Sequence, residues 1–169
     1  MSTTNERLLQ VRPLRWRHCW SITKELNVPA VRGVLGFSHF KLAGRFKSYG
    51  ALGPSAALFC GPTLVAIGGI IVQQPGVGEA WSVHSAALGR LGLGYRFVRL
   101  ARRQLALWIA ATKLHRLQAT CSLWSDPAVR GRFTEFLTVL GFTPEAQIRA
   151  ADSLGQDVLI YAMFPGEVA

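Results

Sequence analysis

The sequence predicts an α+β fold, and three observations predict it. Strand-like segments follow one another at residues 56–60, 64–72 and 79–85, the second rich in β-branched residues, separated by glycine-containing turns, which reads as a meander of strands. A long basic helix is predicted next, over 95–112, where Phe97, Ala101, Leu105 and Trp108 form an apolar stripe and Arg96, Arg99 and Arg103 lie on another face. The chain then alternates: a strand at 115–123, a helix, and strands at 146–150 and 158–164 around a turn at 152–156.

Ahead of the meander, residues 8–11 suit a short strand that Pro13 ends, and a helix over 14–26 would place Trp16, Trp20 and Thr23 at helical spacing. Residues 27–54 are irregular, with Arg32, Lys41, Arg45 and Lys47 interleaved with Phe37, Phe40, Phe46 and Tyr49; this is where a substrate or partner surface could lie, or a helix and loop covering the sheet edge. The helix after the 115–123 strand has Ser125 or Asp126 as its cap, Pro127 in its first turn and Gly141 as its stop.

A chain of 169 residues, half of them apolar, is long enough to bury one core without disulfides, so a single domain over 1–169 is expected. The three cysteines, Cys19, Cys60 and Cys121, are odd in number and lack CxxC spacing, which argues for a reducing compartment and against a zinc site. His18, His39 and His115 share no ligand spacing, so no metal is expected. The polar start from Ser2 to Arg7 has no signal-peptide pattern, and a cytoplasmic location is expected. The uncharged stretch 55–72 approaches the length of a membrane span, but Gly61-Pro62 interrupts it and β-branched residues recur in its second half, so two buried strands are predicted and no membrane span. The five tryptophans, Trp81, Trp108 and Trp124 among them, are expected as core anchors.

The formal charge of +10 favours phosphate-bearing partners: a nucleotide cofactor, nucleic acid or an anionic surface. Gly89-Arg90-Leu91-Gly92-Leu93-Gly94-Tyr95, between a strand and a basic helix, is a candidate phosphate cradle, because glycines admit an anion to the backbone and a helix N-terminus offers unpaired amides. Arg90, Arg96, Arg99, Arg102 and Arg103 surround it and suit charge-assisted contacts to phosphates.

This order of elements, with its Gly-x-Gly turn, basic helix and Leu140-Gly141-Phe142, resembles the GNAT N-acetyltransferase superfamily over residues 55–164, leaving 1–54 as a variable N-terminal part. The wording of the motifs is most similar to bacteriophage-encoded acetyltransferase-like proteins, some of them virion components. The resemblance implies a mixed, mostly antiparallel central sheet flanked by helices, with acetyl-CoA as cosubstrate. Arg90, Gly92, Leu93, Gly94, Tyr95 and Arg96 then fall at the family's Arg/Gln-x-x-Gly-x-Gly/Ala pyrophosphate loop, although Gly89 stands at its Arg/Gln position and Arg90 is displaced by one. Leu114-His115-Arg116-Leu117-Gln118-Ala119 resembles the family's fifth strand, which splays from the fourth to admit the pantetheine arm.

For catalysis the resemblance implies a base on the fourth strand, with Glu79 and His84 as candidates. The family's general-acid tyrosine falls on Leu137 and its asparagine on Arg130, so the hydroxyl candidates are Tyr161 and Tyr95. Three functions follow as expectations: acetyl transfer to a primary amine of unknown acceptor; a GNAT-fold interaction protein that has lost the chemistry, such as a virion component with a protein partner; and nucleic-acid binding through the basic N-terminal half, for which no motif speaks.

Overall fold

The computed structural model describes residues 9–25, 38–122, 127–149 and 157–165. Its elements are β1 (Leu9–Pro13), α1 (Trp16–Glu25), α2 (His39–Tyr49), β2 (Ser55–Cys60), β3 (Thr63–Gln74), β4 (Val77–His84), α3 (Ala87–Arg90), α4 (Gly94–Thr112), β5 (Arg116–Ser122), α5 (Pro127–Leu140), β6 (Thr143–Ile148) and β7 (Val158–Met163). The strands form one seven-stranded sheet in the order β1-β2-β3-β4-β5-β7-β6. β1–β2, β2–β3, β5–β7 and β6–β7 pair antiparallel, whereas β4 and β5 are parallel. A parallel pair needs a crossover, and α3 and α4 supply it. The mixed, mostly antiparallel sheet that the resemblance implies is thus present.

The uncharged 55–72 stretch is indeed strand: β2 and the first part of β3, joined at Gly61 and Pro62. Among the described residues no helix is long and apolar enough to cross a membrane. Pro13 lies within β1 opposite Ala56, tolerated because β1 ends the sheet and needs no donor on its outer side. Helix α2, capped by the Ser38 side chain on the Lys41 amide, occupies part of the segment that reads as irregular in sequence. The expected caps Ser125 and Asp126 and the turn at 152–156 lie outside the described residues.

Three helices end in the same way. Gly92, Lys113 and Gly141 have φ of 63°, 54° and 100°. In each case the amide of that residue bonds three positions back and the next amide bonds five positions back: Gly92 to Gly89 and Leu93 to Leu88, Lys113 to Ala110 and Leu114 to Ile109, Gly141 to Thr138 and Phe142 to Leu137. This Schellman geometry satisfies the last carbonyls and turns an apolar side chain inward. Leu93, Leu114 and Phe142 are accordingly buried.

The chain divides into two compact units, the first comprising residues 1–69 and 82–97, the second 70–81 and 98–169. In the first, Cys19 and Ile22 of α1, Leu42 and Ala43 of α2, and Val65 and Ile67 of β3 are buried. In the second, one core joins Ile70, Leu105, Ile109, Leu117, Leu137, Phe142 and Tyr161. Charge divides unevenly. The first unit holds 11 of the 19 Lys and Arg residues but only Glu6 and Glu25 of the 9 acidic ones. Almost the whole net charge of +10 therefore belongs to it.

Candidate functional site

The candidate phosphate cradle lies in the first unit. β4 ends at His84, Ser85 turns the chain, and α3 and the Gly92 turn lead into α4. Ser85 is buried, its Oγ accepts the Ala87 amide at 3.0 Å and donates to the Glu25 carboxylate at the end of α1. Gly92 is needed for its conformation, since an L side chain at φ 63° is strained. Its amide and that of Leu93 are consumed by the Schellman bonds.

The amides left over by these bonds lie one step further on. Phe97 is the first amide of α4 with a helical acceptor, bonding to Leu93 O at 2.8 Å. The amides of Gly94, Tyr95 and Arg96 precede it and have no intrahelical partner. Leu93 offers no side-chain cap, and no acidic residue occupies the first turn. A Cβ at Gly94 or Gly89 would meet nothing within 4 Å, so space is open beside these amides. Arg90, Tyr95 and Arg96 are exposed there, Tyr95 at 81%. Open backbone, helix-end amides and two guanidinium groups fit a phosphate-bearing cosubstrate.

His84 is enclosed by its surroundings, although part of the residue reaches the surface, and packs edge-on against Phe97 with ring centroids 4.8 Å apart. Burial pushes its pKa down to about 4. The imidazole is therefore neutral near pH 7 and a weak proton acceptor.

The second unit holds the other candidates. Glu79 on β4 sits at the centre of a polar chain across three strands: Gln73 of β3 donates to Glu79 Oε2 at 3.0 Å, Thr120 of β5 donates to Glu79 Oε1 at 2.9 Å, and Gln118 donates to Gln73 Oε1 at 3.0 Å. Both carboxylate oxygens are thereby oriented. The parallel β4–β5 ladder comprises only Val77↔Arg116, Gly78↔Leu117 and Glu79↔Gln118, although β4 runs on to His84 and β5 to Ser122. Glu79 stands where this ladder ends. The two partners of Glu79 escape sequence reading because they come from different strands, β3 and β5, and register alone brings them together.

Tyr161 is placed otherwise. It is 2% exposed, belongs to the core, and its hydroxyl lies 2.9 Å from Thr134 Oγ1 on α5. Register pairs Gln118 with both Glu79 and Ala162, and Ala119 with Tyr161, so Glu79 and Tyr161 project from opposite faces of the sheet. Leu137 is buried beside the Gly141 turn and offers no proton. Among the described residues no group of His, Cys, Asp and Glu side chains is arranged to hold a metal.

No protein-family model matches the sequence. No curated protein matches it either. Solved structures do match in shape, with GNAT acetyltransferases prominent among them. An acetyltransferase of the GNAT family from Bacillus anthracis aligns with a TM-score of 0.70 at 18% identity, covering 94% of this chain and 96% of that one. The spermidine N-acetyltransferase from Vibrio cholerae, solved in complex with CoA and spermine, aligns with a TM-score of 0.70 at 13% identity over 96% and 98% of the two chains. A chimera of that enzyme and hSSAT gives 0.70 at 12% identity over 94% and 96%. The chain has the GNAT acyltransferase fold.

Proposed function

We propose that the protein transfers an acetyl group from acetyl-CoA to a primary amine. The observation that carries this reading is the start of α4: three amides without an intrahelical partner, an open face at Gly94 and the flanking Arg90 and Arg96, on a fold whose solved examples include a CoA-binding enzyme. In this reading Gly92 and Leu93 shape the turn, Gly94, Tyr95 and Arg96 supply amides to the pyrophosphate, and Arg90 and Arg96 neutralise it. Acetyl-CoA, when bound, supplies the activated acetyl thioester. Glu79, oriented by Gln73 and Thr120, takes the proton from the attacking amine, directly or through a water. Leu137 cannot protonate the departing sulfur and Tyr161 projects from the face opposite Glu79, so that proton comes from solvent or from the exposed Tyr95 hydroxyl.

A second reading, a GNAT-fold protein kept for its surface, such as a component of a phage particle, is favoured by the buried leucine at position 137. Calorimetric and thermal-shift titration with acetyl-CoA and CoA separates the two, run on the wild type and on Gly94→Val. Gly94 is the cleaner site for obstruction, because Gly92 is conformationally required. Binding by the wild type, lost in Gly94→Val at unchanged melting temperature, supports the first reading. No heat and no stabilisation at millimolar ligand would overturn it.

A further inference from the structure

The candidate cradle takes two of the first unit's described cations; the other described ones lie on different elements. Among its described residues, Arg12, Arg15, Arg17, Lys24, Lys41, Arg45 and Lys47 lie on or beside β1, α1 and α2, and all seven are exposed. The single acidic side chain described in the unit is Glu25, whose carboxylate accepts the Ser85 hydroxyl. In the same region two aromatic rings are left at the surface. Trp16, at the start of α1, is 39% exposed, and Phe40, at the start of α2, is 66% exposed. They meet edge to face with centroids 5.6 Å apart, and Arg15, Arg17 and Lys41 flank them in sequence.

Cations spaced over more than one element suit a partner that carries charge along its length, and exposed rings among them suit flat apolar groups at intervals along the same partner. Single-stranded nucleic acid has both: a phosphate at every step and an unpaired base to stack. A double helix hides its base faces. A lipid bilayer offers charge but takes up apolar side chains as a continuous face, whereas the exposed stripe of α1 beside Trp16 is polar, with Arg17, Ser21 and Lys24. We propose that the α1–α2 surface around Trp16 and Phe40 binds single-stranded nucleic acid, phosphates meeting the basic side chains and bases stacking on the two rings. The surface does not depend on acetyl transfer.

The test is fluorescence anisotropy of a labelled oligothymidylate against the full chain over a range of salt concentrations. The expected result is binding whose log–log salt slope is about −2 or steeper, corresponding to roughly three or more phosphates at −0.7 each. The double variant Arg15→Glu, Lys41→Glu is expected to weaken binding about tenfold or more; both changes fall at helix starts, where an acidic residue is tolerated. Trp16→Ala and Phe40→Ala are each expected to weaken it about fivefold or more through lost stacking. Arg149→Glu, an exposed change in the second unit, is expected to leave it unchanged. Melting curves and circular dichroism confirm folding, and Arg15→Gln with Lys41→Gln replaces the reversal should that variant unfold. Absence of binding at low salt overturns the proposal. So does an equal loss in Arg149→Glu, insensitivity to both aromatic changes, or binding to phosphatidylserine vesicles without binding to the oligonucleotide.

Discussion

Glu79 and Tyr161 stand on opposite faces of one sheet, separated by β5, and the two have different partners: Glu79 lies among polar strand residues, Tyr161 in the apolar core with Thr134. A proton donor for the leaving group has to reach the reacting atoms on the base's side. Tyr161→Phe is therefore expected to leave kcat within about twofold. Its cost falls on stability, about 1 kcal/mol for the lost buried hydrogen bond, read as a lower urea midpoint at constant slope. A fall in kcat of about a hundredfold in the folded variant would restore Tyr161 as the acid.

Thr120 and Gln73 each hold one oxygen of Glu79 from a surface position. Exposed hydrogen bonds contribute little to folding, so Thr120→Val should change stability by less than about 1 kcal/mol. Glu79→Gln is expected to reduce kcat about a hundredfold or more, as loss of a general base does, while Thr120→Val lowers it several-fold with KM for acetyl-CoA unchanged. Steady-state kinetics on the three proteins checks the order. A Glu79→Gln variant as active as the wild type would remove the base assignment.

Lys113 occupies the left-handed region at φ 54°, a conformation that the other two Schellman turns give to glycine. Lys113→Gly is expected to raise stability by about 0.5–1 kcal/mol, and Gly141→Ala to lower it by about 1 kcal/mol. Thermal melts of both read the sign directly. The comparison isolates backbone strain, because the Lys113 side chain is exposed.

Acid is expected to destabilise the fold through its histidines. Burial drives the His84 pKa down from 6.5 to about 4; for His18, burial first and then Arg17, Arg15 and Arg12 lower it. Above pH 6.5 both states are neutral at these positions and nothing is lost. As pH falls below 6.5 the unfolded chain takes up protons that the folded chain refuses, so stability declines down to about pH 4 for His84 and then levels. The full decline for His84 is on the order of 3 kcal/mol. His84→Asn should flatten the decline between these limits in urea titrations. An unchanged pH dependence would show that the ring is hydrated in the folded state.

Much of the architecture was legible in the amino-acid order. The meander, the basic helix and the closing strands come from local patterns of alternation, an apolar stripe and punctuation by glycine and proline. Helix α2 was harder to read, because Gly44 lies in its middle and its Phe40 points outward, which breaks the apolar stripe; the Ser38 cap was the remaining local signal. The cradle was legible as Gly92-x-Gly94, but its division of labour was not. That Gly92 serves the turn and Gly94 the open face depends on which amides the Schellman bonds consume.

By itself, then, the sequence determined the order and type of most elements, the candidate anion cradle and the excess of positive charge, since each rests on residues close together in the chain. Tertiary structure decided the rest. Strand register gave Glu79 its partners from β3 and β5 and turned Tyr161 to the other face, because pairing positions on separate strands leave no trace in local pattern. Packing of α1 beside α2 brought Trp16 against Phe40, and the division into units showed which of them carries the charge. These are non-local relations, set by how apolar surface is buried.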